Sequence, residues 1–274
     1  MESVVKSADR VVTVLSVLAE VPTGLTFTDL LARLELPRSS LHALLQTLLQ
    51  SRMIVYDGET KLYHYGPKVW ELSMSYYHRI HLVPLAWPYL QEIRDRTNQT
   101  VQMAILDGSD ILYVAKIESS HPLQLVSHVG SRLPAYATGL GKALLATLGP
   151  SALDRVLKGV TFQRFTSNTV GSHDELVHEL ALTRERGYAV DHGEYSADVR
   201  CVAYPVLGFQ NLGIASISVS CSVEQFVPDT VTELTELLRK AAYEISIRAG
   251  SGHPEAWRQE ATDADRVPVR ATLL

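Results

Sequence analysis

Between Gly187 and Cys201 the chain reads GYAVDHGEYSADVRC. The segment gathers two carboxylates (Asp191 and Glu194), an imidazole (His192) and a thiol (Cys201). Such groups can hold a metal ion, or, as a Cys201/His192 pair, form a nucleophile. Gly193 and the irregular spacing put no two ligands dependably on one face. Cys201 lies in an apolar run, where cysteine usually behaves as a small buried hydrophobe. No metal and no cofactor is therefore expected. His78 and His81, three apart on a predicted helix, read as a solvated face.

Gly139-Leu140-Gly141-Lys142-Ala143 invites comparison with a phosphate loop. It fails, because Tyr136 stands where the first glycine belongs and Ala143 where Ser or Thr belongs. It reads instead as a helix start whose free N–H groups can hold an anion such as a carboxylate, or as a glycine pair needed for packing. Gly213 to Ser220 alternates, with Ala215, Ile217 and Val219 on one strand face and Ser216, Ser218 and Ser220 on the other. The serine face meets water or lines a polar cavity. The residues alone leave both open.

The elements that position these groups begin with TFTDLLARLELPRSSLHALLQTLLQ, Thr26–Gln50. Thr26 and Asp29 suit a capping box, and Pro37 suits a helix start. Leu41, Leu44, Leu45 and Leu48 form one apolar stripe at helical spacing. Arg38, Ser39, His42, Ala43 and Gln46 fall opposite, a short-chained polar face free of acid, as entry into a DNA major groove demands. Arg10–Glu20 supplies an earlier helix. Met53–Tyr56 and Lys61–Tyr65 form a hairpin about Asp57-Gly58, ended by Gly66-Pro67. Together these make a winged helix-turn-helix over residues 1–66. The expected DNA contacts are Arg38, Ser39, Ser40, His42 and Gln46, with Lys61 on the wing.

A helix over 68–82, broken by Pro84 from a second over 86–98, reads as a linker, with the linker helix assigned to 67–82. Residues 83–250 then alternate strands (100–106, 111–117, a hairpin near 123–129, 199–207, 213–220) with helices (138–148, 151–158, 172–186, 231–248). The class is α+β, an antiparallel sheet flanked by helices. Residues 251–274 are polar and read as an irregular tail.

Charge bounds the function. Of 25 Lys+Arg and 30 Asp+Glu, residues 1–82 hold eight of each, so the DNA module is nearly neutral. One copy grips phosphates poorly, and specific binding calls for a homodimer or homotetramer. Two cysteines make no disulfide framework, and the chain carries no spanning run or signal-peptide pattern, so a cytoplasmic protein with no membrane contact is expected.

From about Ala8 to Ala249 the chain resembles the IclR family of bacterial transcription regulators. The likeness rests on the winged helix, on LPAYATGLGKALLA (Leu133–Ala146), and on Gly187, Asp191, Glu194, Cys201, Val202, Ala203 and Val206 at the family's spacing. Departures are Leu207 and Gly208 at the signature's end, Glu35 and Arg52 where glycine is common, and Ala43 where a recognition-helix arginine is common. The resemblance implies a GAF-like effector domain after the linker helix. It implies double-stranded operator DNA and a small organic acid or aromatic metabolite as partners, with repression the expected mode. Carried over by position, effector contacts are Gly139, Leu140, Asp191, Cys201, Ser218 and Ser220, with Leu125, Leu133 and Val199 as apolar walls. The likeness favours the serine face lining a pocket. A carboxylic acid or acid derivative with a second polar group fits these groups. The competing expectations are a redox or hydrolytic enzyme using Cys201, and a DNA-binding scaffold whose interior at Asp191 and Ser218 is filled.

Overall fold

A computed structural model describes residues 5–21, 23–34, 36–79, 82–120 and 125–258. The chain divides into two compact units, Met1–Ile80 and His81–Leu274.

The first unit runs α1 (Lys6–Ala19), β1 (Leu25–Thr26), α2 (Phe27–Leu34), α3 (Arg38–Gln50), β2 (Ile54–Tyr56), β3 (Leu62–Tyr65) and α4 (Pro67–Arg79). The Thr26 hydroxyl accepts the Asp29 N–H at 3.2 Å, and Asp29 accepts the Thr26 N–H at 3.0 Å, so the capping box forms. Leu41, Leu45 and Leu48 join Val14, Leu18, Leu25, Leu30 and Ile54 in one core, with Leu44 at its edge. The wing pairs Ile54 with Tyr65 and Tyr56 with Tyr63 in an antiparallel sheet of order β1-β3-β2. Lys61 lies outside β3, in the turn at φ +60°. Asp57 accepts the N–H groups of Glu59 and Thr60 and so holds that turn. Arg52 adopts φ +58°, which explains why glycine suits its position.

The second unit runs α5 (Leu82–Thr97), β4 (Thr100–Asp107), β5 (Asp110–Ile117), β6 (Arg132–Pro134), α6 (Gly139–Leu145), α7 (Pro150–Val156), α8 (His173–Arg186), β7 (Ala189–Asp191), β8 (Val199–Leu207), β9 (Gly213–Ser222) and α9 (Pro228–Arg248). The six strands form one antiparallel sheet of order β6-β5-β4-β9-β8-β7. Pairing is in register except at bulges between Met103 and Ala104 and between Val206 and Leu207. Helices α5 and α9 pack on the sheet, and α6 packs on β8 and β9. The alternation in β9 divides its side chains between the two faces.

The structure corrects three expectations and adds one strand. Pro84 does not separate two helices. It sits in the first turn of α5, where a missing N–H costs nothing, and Pro88 is accommodated in the interior. The expected hairpin strand near 123–129 is a loop over 125–131, residues 121–124 lying outside the described ones, and β6 at 132–134 pairs with β5 instead. The three-residue β7 carries no periodicity long enough to read from sequence. The segment from Ser251 is not loose at its start. Trp257 is 1% exposed and meets Tyr204 edge-on at 6.4 Å, while Asn211 accepts the Ser251 hydroxyl and the His253 N–H. A lone tryptophan in a polar stretch was the available signal. The remaining tail, 259–274, and His81 lie outside the described residues.

Candidate functional site

Sheet register assembles the site. Asp191 on β7 stands opposite Cys201 on β8, and Cys201 opposite Ser220 on β9. One rung along, Ser218 stands opposite Gln102 on β4. Side chains from one face of three strands and a short edge strand thus converge, although they are far apart in sequence.

Over this face lies the start of α6. Thr138 caps it, its hydroxyl accepting the Gly141 N–H at 3.0 Å. Every residue of α6 is buried. Its small residues let it sit close against the sheet. A Cβ on Gly141 would fall 2.1 Å from the Ala135 carbonyl oxygen, and one on Gly139 2.9 Å from Cys201 Sγ and 3.5 Å from Asp191 Cβ. Both glycines are packing requirements, and Gly139 puts the start of the helix beside Asp191.

Between helix and sheet is a small cavity of about 50 Å³. Leu125, Leu133, Gly139, Leu140, Asp191, Val199, Cys201, Ser218 and Ser220 all line it. The sequence reading missed Gln102, Tyr113, Val126, Ser127, Thr138, Tyr195 and Ser196, which line it too. Nothing local in sequence marks Gln102, a polar residue in a strand that is 3% exposed. Its amide donates to Ser127 at 2.7 Å and accepts from Ser220 at 3.3 Å. The Ser218 hydroxyl is 1% exposed and has no hydrogen-bond partner among the described residues. Ser216 is buried on the same strand face but outside the lining. A cavity lies beside Asp191 and Ser218, where a ligand-free scaffold would have a filled interior.

Charge is distributed unevenly. Among the described residues no Lys, Arg or His lines the cavity. Burial pushes the Asp191 carboxyl up, against the N–H groups of Glu194 and Gly193 that its Oδ1 accepts at 2.7 and 2.9 Å. Burial, then Asp191, pushes the Cys201 thiol far up, and burial pushes Cys221 up to about 11. Neither presents the thiolate that a nucleophile or redox centre needs. His192 is exposed, with its ring edge-on to Phe226 at 6.0 Å, so the Cys201/His192 pair does not form. Among the described residues no three His, Cys, Asp or Glu side chains converge as for a metal.

Behind the lining lies an ion-pair network that sequence reasoning missed. Lys142, fully buried, contacts Glu194 at 2.5 Å and Glu179 at 3.3 Å, and Arg186 reaches Glu179 at 3.1 Å. A lysine amid small, buried helix residues was the signal. Its partner is 52 positions away. Burial pushes Glu194 up to about 7 despite Lys142, with Asp191 adding to the rise. A carboxyl raised in the folded state contributes stability that is present below its unfolded pKa near 4.5 and lost as pH rises to about 7. Glu194 alone should therefore cost about 3 kcal/mol between those limits. Glu194→Gln is expected to flatten that fall, measured by denaturant unfolding at pH 5, 6, 7 and 8. An unchanged slope would contradict the assignment.

On the first unit, Arg38, Ser39, His42, Ala43 and Gln46 are exposed on one face of α3, Ser40 is half-buried, and Lys61 is exposed at the wing turn. Among the described residues no helix is long and apolar enough to cross a membrane.

Residues 7–58 match the IclR helix-turn-helix domain, and residues 74–247 match the family model described as bacterial transcriptional regulator IclR C-terminal. The chain is 34% identical over 247 residues to the HTH-type transcriptional regulator XynR of Escherichia coli (strain K12), covering 90% of this chain and 98% of that protein. It is 29% identical over 248 residues to the transcriptional repressor IclR of the same organism, with 90% of each chain covered. An IclR homolog of Microbacterium hydrocarbonoxydans, solved in complex with 4-hydroxybenzoate, superposes with a TM-score of 0.78 at 26% identity, covering 88% of this chain and 98% of that one.

Proposed function

This chain belongs to the IclR family of bacterial transcriptional regulators, a DNA-binding regulator rather than an enzyme, and from that premise we propose that it is a repressor released or engaged by a small monocarboxylic acid bound in the cavity of its second unit. The observation that carries this reading is the buried, unpartnered Ser218 hydroxyl facing a cavity lined by neutral donors and Asp191. An orphaned buried hydroxyl costs free energy unless something pairs with it, and a ligand oxygen does so.

The first N–H groups of α6 have no partners within the helix and favour a carboxylate. Because Gly139 and Asp191 are adjacent, a carboxylate there meets Asp191 directly. Two ionised carboxylates at that distance repel, so Asp191, already raised by burial, carries the proton and donates it to the ligand. Among the described lining residues none is basic, so a second negative charge finds no counter-charge there. The ligand is therefore a monoanion whose other polar group is a hydroxyl, amide or amine, held by Gln102, Ser127, Ser218 or Ser220. Leu125, Leu133 and Val199 hold its carbon skeleton. The 4-hydroxybenzoate bound by the Microbacterium homolog has this character.

For DNA, the α3 face of Arg38, Ser39, Ser40, His42 and Gln46 enters the major groove of double-stranded operator DNA, with Lys61 near phosphate. The charge-neutral module supports assembly as a homodimer or homotetramer, so that several modules share the phosphate contacts. Trp70 (69% exposed) and Leu72 (51%) on α4 offer apolar surface for a second copy. The domain boundaries we assign are 1–66 for the winged helix, 67–79 for the linker helix and 82–258 for the effector domain. Such a regulator works in the cytoplasm, where the operator is. A thermal-shift screen of organic acids on the full chain, followed by release of a selected operator fragment, tests the reading. Monoanions should raise the melting temperature and dianions should not. Stabilisation confined to cations or to dianions would refute it.

A further inference from the structure

We propose that Phe27 is a positioning residue for operator recognition, an aromatic platform that holds the Arg38 guanidinium at the start of the recognition helix. This rests on the reading of α3 as the DNA-contacting helix. Phe27 is the first residue of α2 and Arg38 the first of α3. The guanidinium carbon lies 5.1 Å from the Phe27 ring centroid, the geometry of a cation–π contact. Phe27 is half-buried against the unit's apolar core, so the ring itself is fixed. Phe27, Arg38, Ser39 and His42 together line one concavity on the exposed face.

A guanidinium held over an aromatic ring by its flat face keeps its edge donors free. Among the described residues no carboxylate forms an ion pair with Arg38, and the first turn of α3 contains no acid. Residues at the start of a recognition helix are those that reach base edges, and arginine reads guanine with two parallel hydrogen bonds. A free arginine loses rotamer freedom on forming such a pair. One already held on an aromatic ring loses less.

The test uses the full chain and a duplex selected by it from random-sequence DNA. Affinities and base preferences are measured for wild type, Phe27→Leu, Phe27→Tyr, Arg38→Ala and the Phe27→Leu/Arg38→Ala double variant. Phe27→Leu should weaken binding about two- to fivefold, the worth of an exposed cation–π contact, and relax the preference at one base pair. Phe27→Tyr should retain both, and the double variant should bind no more weakly than Arg38→Ala alone. Equal losses from Phe27→Leu with and without Arg38 would show a merely structural role and overturn the proposal. So would a loss in Arg38→Ala with none in Phe27→Leu. If Arg38→Ala changes neither affinity nor preference, the assignment of the α3 face falls, and the platform with it.

Discussion

Lys142→Met is expected to destabilise the second unit by about 3–5 kcal/mol, the usual cost of removing one partner of a buried ion pair. The side chain is fully buried and its ammonium faces Glu194 and Glu179. Without it, Glu194 keeps its desolvation penalty and loses its counter-charge. The Glu194 Oε2 already has no hydrogen-bond partner among the described residues, so little compensation is at hand. Glu179 retains Arg186, which together with Lys142 holds it below its usual range despite partial burial. The melting temperature of the unit should fall by about 6–20 °C, from about 2–4 °C per kcal/mol for a unit of this size. Adding Glu194→Gln to Lys142→Met should recover part of the loss, because the unpaired charge goes. Calorimetric melting of the three proteins at pH 9, above the Glu194 titration near 7, measures this; at pH 7 the carboxyl without Lys142 takes up a proton and the loss is smaller. A loss below about 1 kcal/mol for Lys142→Met would mean that the buried pair does not hold α6 to the loop after β7.

Combined Arg38→Ala/Gln46→Ala is expected to weaken operator binding by about 2–6 kcal/mol, roughly 30-fold to 10⁴-fold, at about 1–3 kcal/mol per bidentate base contact. Both side chains are exposed on the α3 face, two helical turns apart, so their contributions should nearly add. The loss should depend on sequence and be largest on the selected operator. Loss of phosphate contacts alone would be uniform across sequences and reduce the salt dependence. Ala43 leaves the middle of the face without a long side chain, so the specificity is expected from the residues flanking it. Unchanged affinity and base preference in the double variant would remove α3 from the groove.

What could be read from sequence followed from periodicity. The leucine stripe of α3, the serine face of β9 and the Thr26/Asp29 box are each set within a few residues, and the structure shows all three. What could not be read depends on pairing across distance. Gln102 becomes part of the lining because β4 lies beside β9, a fact of register. Lys142 finds Glu194 because α6 is laid over the sheet by a turn that only glycine at 141 permits. The family spacing of Asp191, Glu194 and Cys201 had no local explanation. The structure supplies one, since Asp191 and Cys201 share a rung at the cavity and Glu194 turns back to the lysine.

The cavity is proposed to bind an acid beside Ser218 and Asp191. Isothermal calorimetry on the full chain tests it, using the tightest acid from the thermal-shift screen with wild type, Ser218→Val and Asp191→Asn. Ser218→Val is expected to weaken binding by about 10- to 100-fold, the loss of a hydrogen bond to a charged or strongly polar ligand group. Asp191→Asn, which still accepts the Gly193 and Glu194 N–H groups and still donates to the ligand, should bind nearly as wild type. It should also lose the weakening that wild type shows as pH rises through the raised Asp191 titration. Binding as tight as wild type in Ser218→Val, with the same pH dependence in Asp191→Asn, would place the effector outside this cavity.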